Sequence, residues 1–395
     1  MSRRPAAGGG PRLRVLAVNW RDRENPEAGG AETHLHEILE RLAARGHAVT
    51  LLAAAWPGAA REARYGGLRV LRAGGPLTAN WALARLARRL ARREPFDVVI
   101  EDVNKIPFFV PMLLPHPHLL VVPHLFGGTV FRETNWLAGL CVYLPERWIP
   151  RVYRRSRVLA ISPSTKADLV RRGLDPARIA VSFCGFDAGP YTLAAPPPRD
   201  AAPRLVHLGR LRRYKGTHLV LAAFARIRRE LPAASLDIVG GGPERPALER
   251  LARRLGLGDA VRFHGHLPLP AMVELLHRCH LFLNGSPKEG WGLTVIEAAA
   301  CGLPCVAADS PGLRDSVEDG ETGLLVPYGD PAAMAAAALA LLADPARREA
   351  MGARAAARAR SFSWDVAADE AEALLQALVA EAGVGGGRGS AEPAA

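Results

Sequence analysis

The stretch Ser286-Pro-Lys-Glu-Gly-Trp-Gly-Leu-Thr-Val-Ile-Glu297 follows a short apolar run, 281–284, and leads into helical periodicity. A strand, a Gly- and Pro-containing turn and a helix start, in that order, are one βα unit of a parallel sheet. The unpaired amides at such a helix start, at the positive end of its dipole, suit an anion such as a diphosphate. Glu289 in the turn can accept from sugar hydroxyls. Glu297, about one turn into the helix, can accept from the two neighbouring hydroxyls of a ribose. The alternative is a solvated helix terminus carrying a dipole-favoured Glu.

Working outward, the same alternation recurs along the chain. Towards the C-terminus, apolar runs at 204–208, 235–239, 260–264, 281–284 and 304–307 read as buried strands. Helical patterns lie between them at 217–230, 245–255, 271–278 and 293–301. Towards the N-terminus, strands are expected at 13–19, 49–53, 97–101, 119–122, 157–161 and 179–183. Helices are expected at 31–45, 81–93 and 164–172, the first stopped by Gly46 and the last capped by Ser162-Pro163-Ser164. A Pro-rich break, Ala194-Ala-Pro-Pro-Pro-Arg-Asp-Ala-Ala-Pro203, separates the two series. The economical fold class is α/β, two doubly wound Rossmann-like domains facing across a cleft. The expected partition is a disordered N-terminus 1–12, a first domain 13–190, a linker 191–203, a second domain 204–360 and a disordered Gly-rich tail 383–395.

The bulk numbers agree with an enzyme-sized globular protein. The chain has 395 residues, enough for two or three domains, with 49% hydrophobic and 23% charged residues. No apolar run is long enough to span a bilayer and no apolar leader is visible, so a cytoplasmic protein is expected. The five cysteines, Cys141, Cys184, Cys279, Cys301 and Cys305, are expected as free buried thiols. Cys301 and Cys305 have Pro304 between them and no His partner at zinc-finger spacing, so no metal site is assigned. A net charge of +12 favours anionic partners. However, the arginines are distributed and no nucleic-acid module is visible, so nucleic acid is not the expected partner.

Three further loops carry chemistry. His207-Leu-Gly-Arg210-Leu-Arg-Arg-Tyr-Lys215-Gly216 follows a strand, and Arg210 and Lys215 flank a loop able to wrap a phosphate. Lys215 is one of only four lysines in an Arg-dominated chain, which makes it harder to dismiss as background. Gly29-Gly30 lies between strand 13–19 and a helix, where backbone can approach a ligand, but the G-x-G-x-x-G dinucleotide spacing is missing. The same holds for Gly240-Gly241-Gly242. His124, just beyond strand 119–122 and followed by Gly127-Gly128, could contact a reacting sugar, or could be structural.

Taken in order, the Gly-Gly loop, the post-strand His, Gly-Arg…Lys-Gly and Glu-x7-Glu resemble the retaining glycosyltransferases of family 4, which have the GT-B fold. Ile161-Ser-Pro-Ser-Thr-Lys-Ala-Asp-Leu169, Gly185-Phe-Asp187 and Asp319-Gly-Glu-Thr-Gly-Leu-Leu-Val326 add to the likeness. The resemblance implies catalytic roles for His124, Arg210, Lys215 and Glu289. It implies a donor site of Gly29, Gly30, Arg210, Lys215, Glu289, Gly290, Trp291, Gly292, Leu293 and Glu297. Arg210 and Lys215 would hold the diphosphate, Glu297 the ribose, and Glu289 with the amides of Gly290, Trp291 and Gly292 the hexose. His124 would lie near the reacting face and Gly30 near phosphate and acceptor. Residues 361–382 would form a helix crossing back to the first domain. Cys184 stands where many members carry Asn.

The implied reaction is hexose transfer from a UDP- or GDP-sugar with retention, in glycan, polysaccharide or glycolipid synthesis, with no cofactor and no metal. The implied partners are a nucleotide-sugar donor and a saccharide or lipid-linked acceptor. A nucleotide-sugar epimerase on the same fold is the alternative. Residues 135–155 mix aromatics with Arg147, Arg151, Arg154 and Arg155. The preferred reading is that the apolar residues pack inside and the arginines are solvated. The other is peripheral contact with the inner face of a membrane. The basic helix 85–93 reads as a solvated face.

Overall fold

The computed structural model describes residues 10–132 and 135–386. The chain divides into two compact units. Unit 1 comprises the described parts of Met1–Phe131, Trp136–Gly185 and Trp364–Ala395; unit 2 comprises those of Arg132–Asn135 and Phe186–Ser363.

Unit 1 runs β1 (Arg14–Val18), α1 (Gly30–Ala44), β2 (Ala48–Ala53), β3 (Glu62–Tyr65), β4 (Leu68–Arg72), α2 (Ala79–Ala91), β5 (Val98–Asp102) and β6 (His118–Val122). It continues with α3 (Trp136–Glu146), α4 (Ile149–Val152), β7 (Arg157–Ala160), α5 (Pro163–Arg171) and β8 (Ile179–Val181). The sheet order is β3-β4-β2-β1-β5-β6-β7-β8, parallel except for the β3/β4 pair. Strands β5 and β6 are buried along their whole length, as a sheet covered on both faces requires. One core cluster gathers Leu16, Leu52, Leu83 and Val99, and another Leu120, Tyr153, Val158 and Leu169. The Ser162 hydroxyl accepts from the Thr165 amide at 3.2 Å, the cap expected for α5.

The C-terminal helix Trp364–Gly386 belongs to unit 1 and packs against α1. Glu372 joins Arg45 (2.7 Å) and His47 (3.0 Å) there, and Asp365 joins Arg41 (2.8 Å). The expected tail from 383 is corrected over 383–386, which continue this helix. An already wound helix adds each residue without a new nucleation cost, and that offsets weak glycine propensity. Residues 387–395, and residues 1–9 of the expected N-terminal lead-in, lie outside the described residues.

Unit 2 runs β9 (Arg204–Leu208), α6 (Thr217–Glu230), β10 (Ser235–Val239), α7 (Arg245–Arg254), β11 (Val261–Gly265), α8 (Leu269–Arg278) and β12 (Leu281–Asn284). It ends with α9 (Leu293–Ala300), β13 (Cys305–Asp309), α10 (Leu313–Ser316), β14 (Gly323–Pro327), α11 (Pro331–Ala343) and α12 (Pro345–Ser361). The sheet is wholly parallel, in the order β11-β10-β9-β12-β13-β14. Its core includes Leu205, Phe224, Ile227, Leu236, Leu281 and Leu341.

The Pro-rich stretch expected as a linker between units lies within unit 2. Arg199 donates to the Gly302 carbonyl (2.8 Å) and to that of Cys279, and the Asp200 amide to the Arg278 carbonyl (3.1 Å). A half-buried guanidinium needs such acceptors, and they bind the segment down.

Two expectations about 135–155 are also corrected. Cys141 is exposed, whereas the other four cysteines are buried. Trp136, Leu137, Leu144 and Trp148 are exposed rather than packed inside. Among the apolar positions of this segment Gly139, Ile149 and Tyr153 are buried, and Val152 packs partly buried against the same core. The helix is apolar on both sides, and one helix can turn only one side inward.

Candidate functional site

In unit 2 the chain leaves β9 towards β10 on one side, then returns to β12 on the other. The C-terminal ends of β9 and β12 therefore form the switch point where a doubly wound sheet binds ligands. The loops leaving them, 209–216 and 285–292, carry Arg210, Lys215 and Glu289.

Backbone contact locks these two loops together. Gly216 caps α6 at φ 67°, and a Cβ there would lie 2.0 Å from the Gly285 carbonyl oxygen. Only glycine permits that approach at that φ. Behind it His207, fully buried, is held by the Leu283 carbonyl at Nδ1 (2.8 Å) and the Thr217 hydroxyl at Nε2 (3.0 Å). The carbonyl can only accept, so Nδ1 carries the proton and Nε2 accepts from Thr217. Burial lowers the imidazole pKa to about 4, which keeps it neutral. It ties β9, β12 and the start of α6 into one rigid end.

At this end the Lys215 ammonium donates to both oxygens of Glu289, each at 2.7 Å. Both side chains are mostly withdrawn from solvent. Sequence reasoning expected these residues in one site but did not foresee their direct pairing, 74 positions apart. The Glu289 backbone is fixed by its amide donating to the Pro311 carbonyl (2.9 Å). Gly312, at φ 83°, passes so close that a Cβ would lie 2.2 Å from the Glu289 carbonyl oxygen. Arg210 is exposed, with Nη2 3.4 Å from the Tyr214 hydroxyl. The half-buried Gly290 and buried Trp291 follow Glu289, and Trp291 stands edge-on to Phe362 with centroids 5.0 Å apart. Gly292, at φ 83°, caps α9, whose first residue is Leu293.

Glu297 projects from α9, largely buried, and its Oε1 accepts from the Tyr191 hydroxyl at 2.9 Å. Burial raises its pKa from 4.5 to about 6, the Tyr191 bond partly opposing the rise. Tyr191 was missed in the sequence. It is held by the His277 side chain bonding its carbonyl (3.0 Å) and by the Phe186 ring at 4.9 Å. Its place just after Gly185-Phe-Asp187 was the one available signal.

Unit 1 has its own switch point, between β1 and β5. Gly29 is the extended cap of α1 and Gly30 its exposed first residue. Glu32 accepts from the Gly29 amide (2.7 Å) and from Asn104 Nδ2 (2.9 Å). Beside them Asp102, at the end of β5, is completely buried. Its carboxylate oxygens have no hydrogen-bond partner among the described residues. Burial, with the Glu32 and Glu101 carboxylates nearby, raises its pKa well above the usual range. Sequence reasoning missed Asp102 too, because an acidic residue ending a strand gives no sign of its burial. His124 is half-buried and edge-on to Phe126 at 4.9 Å.

Comparison with known proteins gives matches to both halves of the chain. The family described as "Glycosyl transferases group 1" matches residues 194–358, and "Glycosyltransferase Family 4" matches residues 28–189. The chain is 30% identical over 390 residues to a glycogen synthase of Mycobacterium tuberculosis, covering 90% of this chain and 92% of that protein. It is 31% identical over 354 residues to a GDP-mannose-dependent alpha-(1-6)-phosphatidylinositol monomannoside mannosyltransferase of Mycolicibacterium smegmatis, covering 83% and 89%. Among solved structures it is similar to sucrose-phosphate synthase from Thermosynechococcus elongatus, with a TM-score of 0.80 and 23% identity. That likeness covers 94% of this chain and all of the other.

Proposed function

The chain belongs to glycosyltransferase family 4, with the GT-B fold, and from that membership we propose a specific reaction for it. It transfers a hexose from a UDP- or GDP-sugar to a hydroxyl of a saccharide or lipid-linked acceptor, with retention and without a metal. The observation that carries this reading is the Lys215–Glu289 pair at the switch point of unit 2. A cation suited to phosphate and a carboxylate suited to hydroxyls stand side by side, as the two ends of a sugar–diphosphate bond require.

On donor binding, the diphosphate takes Glu289's place on Lys215, with Arg210 as the second cation, and Glu289 turns to the hexose hydroxyls. The amides of Gly290, Trp291 and Gly292, with Leu293 at the start of α9, complete the donor site. Glu297 accepts from the ribose hydroxyls. The bond from the anomeric carbon to the phosphate oxygen then breaks through an oxocarbenium-like state. The acceptor oxygen bonds the same face, and its proton passes to the leaving phosphate. Lys215 and Arg210 stabilise the charge that collects on the diphosphate, the task a metal performs elsewhere. His124 and the Gly29-Gly30 helix start are assigned to the same reaction on the family pattern alone. The name of the mycobacterial mannosyltransferase supports a nucleotide-sugar donor and leaves a lipid-linked acceptor open.

The test is a screen of UDP- and GDP-sugars for thermal stabilisation, followed by NMR of the product's anomeric configuration. A ligand at 100 times its Kd adds about 2.7 kcal/mol of stability. An inverted product, or epimer released without any acceptor, would overturn the proposal.

A further inference from the structure

We propose that the exposed face of α3 and α4 in unit 1 docks on an anionic lipid bilayer. This does not rest on the donor-site reading and can fail without it.

The segment 136–152 is close to one continuous helix. Between α3 and α4 the Arg147 and Trp148 amides bond back to Leu144 and Pro145 at 3.1 and 3.0 Å. Its inner side is anchored by Gly139, Glu146 and Ile149, with Tyr153 just beyond. The Glu146 carboxylate accepts from the amides of Phe126 (2.8 Å) and Gly127 (2.7 Å), which fixes the rotation of the helix. With that side turned inward, Leu137, Cys141, Leu144 and Trp148 fall on the opposite side, spaced four, three and four apart.

These are large apolar groups left in water. Trp136 is 72% exposed, Leu137 58%, Leu144 48% and Trp148 56%. A helix apolar on every side is either buried or in contact with lipid, and this one is buried on one side only. Charge selects the occupant. Glu146 is the one acidic residue between 136 and 155, and it is spent inward, whereas Arg147, Arg151, Arg154 and Arg155 are all exposed. The Arg151 guanidinium lies over the Trp148 ring at 5.4 Å, and that of Arg147 over Tyr143 at 5.9 Å. Tryptophans beside arginines suit the level of lipid headgroups, where the rings enter the acyl boundary and the guanidiniums meet phosphates. Among the described residues no helix is long and apolar enough to cross a membrane. The contact is therefore one of a helix lying in the interface.

The full chain should be floated with vesicles of phosphatidylcholine alone and with 30% phosphatidylglycerol. Binding at least tenfold stronger to the anionic vesicles is expected, weakening as salt rises. Trp136→Ala with Trp148→Ala, and separately Arg147→Gln with Arg151→Gln, should each reduce partitioning about tenfold. The thermal midpoint should stay unchanged, since these side chains are outside the core. Tryptophan emission should shift to the blue with anionic vesicles in the wild type and less so in the double Trp variant. Equal flotation with both vesicle types would overturn the proposal. So would undiminished binding by both variants, or a face that instead pairs two copies of the chain, seen as a dimer in sedimentation that Trp148→Ala dissociates.

Discussion

Replacing Glu297 by Gln should make the free protein more stable and the enzyme worse. Glu297 is a carboxylate in a largely buried place with one hydrogen-bond donor among the described residues, the Tyr191 hydroxyl at 2.9 Å. The rise of its pKa from 4.5 to about 6 corresponds, at 1.36 kcal/mol per pH unit, to about 2 kcal/mol. The sign follows from which state holds the proton. Below pH 4.5 the group is neutral folded and unfolded, and contributes nothing. Between pH 4.5 and about 6 the unfolded chain releases its proton first, so folding loses stability as pH rises. Above about pH 6 the full cost remains. Gln carries no charge to desolvate, and its carbonyl can still accept from Tyr191. The Tyr191 bond to the charged form is already contained in that shift, so the net stabilisation at pH 8 is about 2 kcal/mol. For a unit of this size the midpoint should rise by roughly 4–8 °C at pH 8, with little rise at pH 4.5.

The same variant should bind the donor at least tenfold more weakly, because the ribose hydroxyls lose a charged acceptor. Wild-type donor affinity should itself fall about tenfold per pH unit below about pH 6, as Glu297 takes up its proton. Thermal melts at the two pH values and calorimetric titration with the donor measure both effects. A variant equally destabilised at pH 4.5 and pH 8 would refute the buried-charge argument. Unchanged donor affinity would refute the ribose role.

Three other perturbations probe the site and its frame. Glu289→Gln should tighten binding of the free nucleoside diphosphate several-fold by releasing Lys215, yet lower kcat at least a hundredfold; weaker diphosphate binding in titration would show that the pair does not compete with phosphate. Tyr191→Phe removes the hydroxyl that donates to Glu297, so donor affinity should drop about three- to tenfold and the pH profile of binding should move upward; an unmoved profile would deny Tyr191 a positioning role. Gly216→Ala forces a left-handed residue against the Gly285 carbonyl and should cost about 2–5 kcal/mol in urea unfolding, whereas Gly75→Ala, with open space around it, should be nearly neutral.

What could be read from the sequence depended on how much of each signal was local. Strands β9, β10 and β12 and helix α6 coincide with their expected limits, because a strand buried on both faces is a continuous apolar run bounded by turn residues. The β3/β4 hairpin was not legible: Glu62-Ala-Arg-Tyr65 sits at the sheet edge, half in solvent, and shows no apolar run. Gly66-Gly67 between the strands was its only trace. Side-chain pairing was less legible still. The ordered motifs put Lys215 and Glu289 in one site, but the 2.7 Å contact arises because parallel pairing brings β9 and β12 side by side in the sheet. The Tyr191–Glu297 contact spans 106 positions and no motif records it. For α3 the difficulty was different in kind. Periodicity tells which side of a helix is buried only when the other side is polar, and here both sides are apolar. The amides of Phe126 and Gly127 holding Glu146 decide which side turns inward, and a contact 19 and 20 residues away leaves no periodic mark. The residues that resist sequence reading are thus those whose environment is set by a distant strand or loop. Tyr191, Asp102 and the outer face of α3 are all of this kind.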